Sequence, residues 1–248
     1  TIDKYFQTPG RFEQSANESS FDEWIQPSGD RHQNASVSIY PKGELIGLAM
    51  DLILRRDSAG KFGLQDVHQL LWQNHKVEQG GFSDADVLAA LQKVSGHSWS
   101  DFWNSYVIGT QELPILELLN DAGLQWLAGT KPEDDKPYYW WGLTIAPGSD
   151  KEFARIASVQ KDSPAWQAGL VTGDTLLALN GFRLSANNFA KRSQNFSSAN
   201  LSLEYFRRDQ KQMTKISPKQ MQSAEMKLVT NPKASAKQLA LRKAWLGK

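Results

Sequence analysis

The chain contains no cysteine, which excludes disulfide bonds, thiolate nucleophiles and cysteine-ligated metal sites. It also lacks an excess of either charge, because 28 basic residues nearly balance 27 acidic ones. Such a balance creates no overall field that attracts polyanions, so we expect neither a nucleic-acid nor a membrane partner. No apolar run approaches the roughly 18 residues of a membrane span, and the first residues do not resemble a secretory signal. We therefore expect a soluble protein, cytoplasmic or periplasmic.

A change of composition near residue 131 divides the sequence into two parts. Residues 131–137 are charged, contain two prolines and carry no apolar side chain, as is typical of a linker. Before them the apolar spacing favours helices, and after them short strand-like runs alternate with Gly, Asn and Asp turns. The predicted fold class is α+β: an all-helical bundle over 1–130, the linker, a small β-rich domain over 138–230, and a basic tail over 231–248 that is helical or mobile.

One stretch, residues 37–56, is expected to be the central helix of the first part. Its apolar side chains follow a helical period and should be buried: Leu45, Leu48, Ala49, Leu52 and Ile53. Pro41 suits the first helical turn and pushes Tyr40 toward an extended conformation, so Tyr40 is predicted at the cap position. There its phenol either faces a cleft as a fixed hydrogen-bond donor or only packs against the helix.

Two further helix starts are indicated by capping residues. Ser83, followed three residues later by Asp86, resembles a capping box. Ser19 or Ser20 is expected to cap a short helix that carries Phe21, Trp24 and Ile25.

The four histidines do not form a recognisable metal site. No two of them have the i, i+4 spacing of an H-E-x-x-H zinc helix, and that motif is absent from the sequence. His68 lies among apolar residues and is expected in the core or at its boundary. We predict no metal ligands in this chain.

The β-rich part contains a specific motif. Residues 163–170 read SPAWQAGL, and residues 173–181 read GDTLLALNG. This run resembles the PDZ domain, and a strand after residues 201–208 suits the permuted order of its bacterial members. The resemblance implies an extended peptide bound along a strand, with its C-terminal carboxylate held by backbone N–H groups. The implied groove residues are Trp141, Gly142 and Leu143 in the carboxylate loop, Thr144 and Ile145 in the strand, and Phe189 and Arg192 in the opposite wall. The alternative is a packing module whose groove is empty or filled by its own chain.

Several short motifs in the first part occur in a distinctive order. They are Pro9-Gly10-Arg11, Glu18-Ser19-Ser20-Phe21-Asp22-x-Trp24, Tyr40-x-Lys42-Gly43, Asp101-Phe102-Trp103 and Gly109-Thr110-x-Glu112-Leu113-Pro114. With the PDZ domain after them, they resemble the C-terminal part of the glycyl aminopeptidase family of zinc metallopeptidases. In that family the H-E-x-x-H helix and a third ligand, a glutamate, lie upstream. The resemblance thus implies zinc in a full-length parent, none bound by this chain, and the missing N-terminal half of the catalytic domain as a partner.

The same resemblance implies a role for Tyr40. In the related thermolysin-like aminopeptidases, the tyrosine of a Y-x-K-G motif donates a hydrogen bond to the oxyanion formed during peptide cleavage. We expect Lys42 to be solvated or salt-bridged and Gly43 to be a close-packing position, with Arg11, Glu18 and Asp30 as candidates for the substrate cleft. This chain alone should be inactive. The alternative is a non-enzymatic peptide-binding or scaffold protein built on the PDZ domain.

Overall fold

The computed structural model describes residues 1–25, 33–76, 78, 80–128, 137–147, 153–196, 200–222 and 226–247. The chain forms two compact units, each with its own apolar core. The first unit comprises Thr1–Ala128 together with Met226–Lys248, and the second comprises Gly129–Glu225. Most of the predicted linker, residues 131–136, lies outside the described residues.

Helices build most of the first unit. They are α1 (Ile2–Phe6), α2 (Ala16–Asp22), α3 (Ile39–Asp57), α4 (Leu64–Asn74), α5 (Asp84–Ser95), α6 (Ser100–Phe102), α7 (Ile115–Asp121) and, near the C-terminus, α10 (Ala236–Leu246). A 3-10 turn at Pro9–Phe12 precedes α2, and α6 continues into a π-helical turn at Trp103–Val107.

The predicted helix over 37–56 is α3, and its apolar face is buried as expected: Leu45, Ala49 and Leu52 lie in the core, with Leu48 and Ile53 packed against it. The Ser83–Asp86 capping box also opens α5 as predicted. The predicted cap at Ser19 or Ser20 is wrong, because Ser15 and Glu18 form the capping box of α2 and place its start four residues earlier.

A two-stranded antiparallel sheet completes the first unit, which is therefore not all-helical. Its strands are β1 (Leu124–Ala128) and β10 (Met226–Thr230). The second of these strands lies within the predicted range of the PDZ domain, but it pairs with a segment of the first unit. The basic tail then forms α10, whose carbonyl at Ala244 accepts a hydrogen bond from Arg55 Nη1 of α3 at 2.8 Å. These contacts hold the C-terminal segment on the helical unit.

The second unit is an antiparallel sheet with two helices. Its elements are β2 (Pro137–Trp140), β3 (Leu143–Ile145), β4 (Ala154–Val159), α8 (Pro164–Gln167), β5 (Thr175–Leu179), β6 (Phe182–Arg183), α9 (Ala186–Asn195), β7 (Leu201–Arg207), β8 (Gln210–Ile216) and β9 (Lys219–Gln222). The main strand order is β3-β4-β5-β7-β8, with β6 paired to β5 and a separate β2-β9 pair.

The segment over 138–145 forms two strands, which are separated at Gly142. This residue has φ = +71°, a conformation that L side chains rarely adopt, and it divides the segment into β2 and β3. None of the helices within the described ranges is long and apolar enough to cross a membrane.

Candidate functional site

Tyr40 lies in the first turn of α3, and 70% of its surface is exposed to solvent. The N-cap is Ser38, so the prediction that Tyr40 occupies the cap position is wrong. The cause is that Pro41 lies inside the first turn. Backbone N–H groups in this turn have no intrahelical acceptor, so a residue without an N–H costs the helix no hydrogen bond. The phenol is not enclosed by the apolar core and is accessible to another molecule or polypeptide.

Lys42 anchors the same turn from the opposite side of the helix. Two residues after Tyr40, it is rotated by about 200° around the helix axis. Its side chain is 0% exposed, and Nζ donates to the backbone oxygens of Gln14 at 2.8 Å and Arg11 at 3.4 Å. The expectation of a solvated or salt-bridged lysine is therefore wrong. The ammonium group instead binds main-chain carbonyls, which fixes the first turn of α3 against the segment that precedes α2.

The Pro9-Gly10-Arg11 motif lies in the segment to which Lys42 is hydrogen-bonded. A Cβ atom on Gly10 would overlap the backbone of Ser36, so glycine allows the segment leading into α3 to pass close by. The Gly10 N–H also donates to the Gln33 oxygen at 2.8 Å. Arg11 Nε donates to Glu112 Oε1 at 2.8 Å, which joins two motifs far apart in the sequence.

These contacts change the interpretation of the other candidate cleft residues. Arg11 is engaged by Glu112, and the Glu18 carboxylate accepts the Ser15 N–H, a bond that lowers the pKa of Glu18. Both side chains thus have structural partners at the base of α3. Asp30 lies outside the described residues.

The buried ammonium of Lys42 predicts a specific pH dependence of stability. Burial lowers the pKa of Lys42 from 10.5 to about 8, opposed by the nearby Glu18 carboxylate. Between these two pH values the unfolded chain binds more protons than the folded chain, so the Lys42 contribution to the free energy of unfolding rises with pH. Relative to Lys42→Met, the wild type should gain stability as pH rises through this window, as measured by urea denaturation.

The exposed Lys237 in α10 offers a matched control for that measurement. Lys237→Met should keep the pH dependence of the wild type. If Lys42→Met and wild type respond identically to pH, the proposed burial of the charged lysine is incorrect.

A cleft of about 420 Å³ lies beside α3 and is bounded by α2, α4, α5 and the π-helical turn. Gly43 and Gly47 contribute to its lining, and neither is crowded. A Cβ on Gly43 would meet only Ile39 Cδ1, at 3.9 Å, so the expected close-packing role is wrong for the described residues. His68, expected in the core or at its boundary, is exposed and lines this cleft. The cleft was not predicted from the sequence, although the i, i+4 spacing of the two glycines was a signal for it.

The described residues offer no site that fits a zinc ion. Nowhere in the described ranges do three His, Asp or Glu side chains converge as a possible ligand set.

In the second unit, β3 has an open edge. Within the part of the chain that the structure describes, β3 pairs only with β4. Gln160 N donates to the Gly142 oxygen and Ala146 N donates to the Arg155 oxygen, so the even-numbered positions bond to β4. Because antiparallel pairing alternates, the N–H and C=O groups of Leu143 and Ile145 point the other way. This edge could pair with an extended peptide.

The predicted groove residues are only partly brought together. Trp141, Leu143, Ile145 and Phe189 share one apolar cluster, and the rings of Trp141 and Phe189 meet edge to face at 5.8 Å. The Trp141 indole donates to the Ser193 oxygen of α9 at 3.1 Å, so this bulky side chain is built into the core. Thr144 is exposed and bonds Ser158, and Arg192 lies over the Phe182 ring at 5.7 Å. Their roles in peptide binding stay predictions.

Comparison with known families gives two matches. Residues 1–46, which contain Tyr40, Lys42 and the segment beneath them, match the M61 glycyl aminopeptidase family. Residues 155–185 match the PDZ domain. No curated protein matched the chain.

Solved structures extend the comparison to the fold. An aminopeptidase N family protein from Idiomarina loihiensis is 21% identical to this chain and aligns with a TM-score of 0.71. The alignment covers 96% of this chain and 44% of the Idiomarina protein. The chain thus spans less than half of that relative. The HtrA3 PDZ domain bound to a phage-derived ligand is 17% identical to this chain and aligns with a TM-score of 0.27. The alignment covers 40% of this chain and 90% of the HtrA3 domain. The predicted resemblance is confirmed: residues 1–46 match the M61 glycyl aminopeptidase family, residues 155–185 match the PDZ domain, and the fold is similar to that of an aminopeptidase N family protein.

Proposed function

We propose that this chain is the C-terminal part of a zinc-dependent aminopeptidase and that Tyr40 donates a hydrogen bond to the oxyanion of the reacting peptide. The observation that carries the proposal is the placement of Tyr40: exposed at the start of α3, inside the segment that matches the M61 family. The buried Lys42 holds this turn by hydrogen bonds to the carbonyls of Gln14 and Arg11. A rigid helix turn that presents a phenol outward suits a fixed donor.

The chemistry follows from that geometry. A positioned donor stabilises the negative charge that develops on the peptide oxygen, and in a dry site one such bond lowers the barrier by roughly 3 to 4 kcal/mol. The zinc, held by an H-E-x-x-H segment outside this chain, supplies activated water when bound. Within this chain, Tyr40 contributes the donor, and the Lys42 anchor keeps the donor in place.

The proposal is tested with the natural full-length polypeptide. Its upstream sequence should contain H-E-x-x-H, and its hydrolysis of amino-acid arylamides should stop on chelation and return with zinc. The 248-residue chain should be inactive in the same assay. A full-length polypeptide without that motif, or activity that resists chelation, would contradict the proposal.

We also infer that the second unit binds the C-terminus of a peptide along β3. The support is the open edge of this strand and the Gly142 turn beside it. Phe189 of α9 packs into the same apolar cluster as Leu143 and Ile145 and would provide the opposite wall. This function needs no peptidase activity, so it is also the basis of the alternative, a non-enzymatic peptide-binding or scaffold protein.

Peptide binding should depend on the free carboxylate. In fluorescence anisotropy with a library of labelled peptides, those with a free C-terminus should bind saturably. The same peptides with an amidated C-terminus should bind at least about tenfold more weakly, because a charged acceptor is lost. Equal affinity for both forms, or failure of the whole library to bind, would favour a packing module.

A further inference from the structure

The second unit contains a polar cavity of about 850 Å³ at one end of its main sheet. Two turns border the cavity: the turn at 171–174, which precedes β5, and the turn at 208–209, which joins β7 to β8. Its volume lies within the range of roughly 300 to 1,000 Å³ found for pockets that hold small organic molecules. The structure describes all three residues of β3, and none of them lines the cavity. The cavity is therefore distinct from the proposed peptide groove.

Three arginines line this cavity, and one of them has its charge neutralised within the unit. Arg207 donates to both carboxylate oxygens of the buried Asp174, at 2.8 and 2.7 Å. Among the described residues, the guanidinium groups of Arg155 and Arg208 have no hydrogen-bond or ion-pair partner. The other carboxylate of the lining, Asp209, is exposed in the hairpin turn. The lining thus keeps an excess of positive charge and two guanidinium groups with all their donors available.

The groups around Arg155 suit a ligand that is charged at one end and apolar at the other. Arg155 lies opposite Thr175 in the β4-β5 pair, and Thr175 lies opposite Phe206 in the β5-β7 pair. Directly opposite residues of an antiparallel pair share one face of the sheet. The exposed Phe206 ring therefore lies on the same face as the guanidinium and hydroxyl donors. Arg155 Nη2 also approaches within 3.9 Å of the Cβ position of Gly173, which places it beside the 171–174 turn.

The hairpin turn holds Arg208 in a backbone conformation that does not favour arginine. Arg208 and Asp209 have φ angles of +47° and +62°. A two-residue turn with positive φ at both positions prefers Asn-Gly, because most L side chains are strained there. Arg208 therefore does not stabilise the turn in which it lies. Backbone strain of this kind concentrates at functional sites, which points to a role of Arg208 toward a ligand.

We propose that this cavity binds an organic phosphate monoester. Arg155 and Arg208 hold the phosphate, and the organic part lies against Phe206. A phosphate monoester carries nearly two negative charges at neutral pH, which matches two unpaired guanidinium groups, and arginine binds its oxygens through two donors at once. The cavity is much larger than a phosphate ion, so the ion would leave most of it unfilled. This site does not depend on the peptidase function proposed for the first unit.

The test is a titration of the isotope-labelled 248-residue chain with phenyl phosphate, followed by amide NMR. The amides of Gly173, Thr175 and Arg208 should shift saturably. Inorganic phosphate should shift the same amides with a higher Kd, because it has no ring to contact Phe206. Arg155→Gln should raise the Kd for phenyl phosphate at least about tenfold, because a charged donor is lost.

A control variant and a turn variant separate a specific site from general charge and from folding. Lys215→Gln removes one positive charge from an exposed residue of β8 that does not line the cavity, and it should leave the Kd unchanged. Arg208→Asn places a residue that tolerates positive φ in the hairpin turn, so the Tm should stay equal or rise. The same variant should raise the Kd at least about tenfold. A purely structural role of Arg208 predicts the opposite pattern, a lower Tm with an unchanged Kd.

Four other results would overturn the proposal. The first is the absence of saturable shifts with either phosphate compound. The second is the same set of shifts with potassium chloride at equal ionic strength, which would reflect screening alone. The third is binding of benzoate as tight as that of phenyl phosphate, which would assign the cavity to carboxylates. The fourth is an unchanged Kd in both Arg155→Gln and Arg208→Asn.

Discussion

Replacing Tyr40 with phenylalanine in the proposed full-length peptidase should lower kcat by about one hundredfold or more. The substitution removes only the hydroxyl, which is the proposed donor to the charge that develops on the peptide oxygen. Because that interaction is made chiefly in the transition state, kcat and kcat/KM should fall together while KM changes little. Steady-state kinetics with amino-acid arylamides would measure all three quantities.

Two controls separate this effect from a loss of stability. Tyr40 is exposed, so Tyr40→Phe should leave the thermal unfolding of the 248-residue chain unchanged. Tyr138→Phe, which alters a half-buried tyrosine of β2 in the second unit, should leave kcat at the wild-type value. If Tyr40→Phe retains the wild-type kcat, Tyr40 is not the donor and its phenol serves another purpose.

Replacing Asp174 with alanine should destabilise the second unit by about 3 kcal/mol or more. Asp174 is 1% exposed, and its carboxylate accepts bonds from Arg207 Nε at 2.8 Å, Arg207 Nη2 at 2.7 Å and the Val171 N–H at 2.9 Å. The alanine variant removes the carboxylate that accepts from the Val171 amide and from two guanidinium nitrogens, so that Arg207 keeps only its bond to the Gly169 oxygen. Urea denaturation followed by far-UV circular dichroism would report the change.

The matched control for Asp174 is a second ion pair in the same sheet. Glu204 and Lys211 are 2.6 Å apart, but the lysine side chain is largely exposed. Because solvent screens such a pair, Glu204→Gln should cost less than about 1 kcal/mol. Equal effects of the two variants would mean that the buried carboxylate contributes no more than a surface charge.

The PDZ-like unit was the part most readily predicted from sequence. Ser163 caps α8, Asn180 and Gly181 take positive φ in the turn after β5, and Asp174 bonds the Val171 amide. Each of these interactions joins residues close together in the chain, so a local motif can encode them. The buried face of α3 was predictable for the same reason, because it depends only on helical spacing.

Interactions between distant segments could not be predicted in this way. Met226–Thr230 has the composition of an ordinary strand, and nothing local indicates that its partner is Leu124–Ala128. Lys42 was expected to be solvated or salt-bridged because its acceptors, the carbonyls of Gln14 and Arg11, belong to a segment about thirty residues earlier. The acceptors are backbone carbonyl oxygens, which every residue carries, so no pattern of side chains in the sequence predicts which of them bind Lys42.

The most direct test of the account is the position of Tyr40 in a structure of the full-length polypeptide bound to a phosphinic peptide analogue of the transition state. The account predicts that the Tyr40 hydroxyl lies within about 3 Å of a phosphinyl oxygen, at hydrogen-bonding distance. A structure in which the analogue binds the zinc while the Tyr40 hydroxyl points away from it would contradict the account.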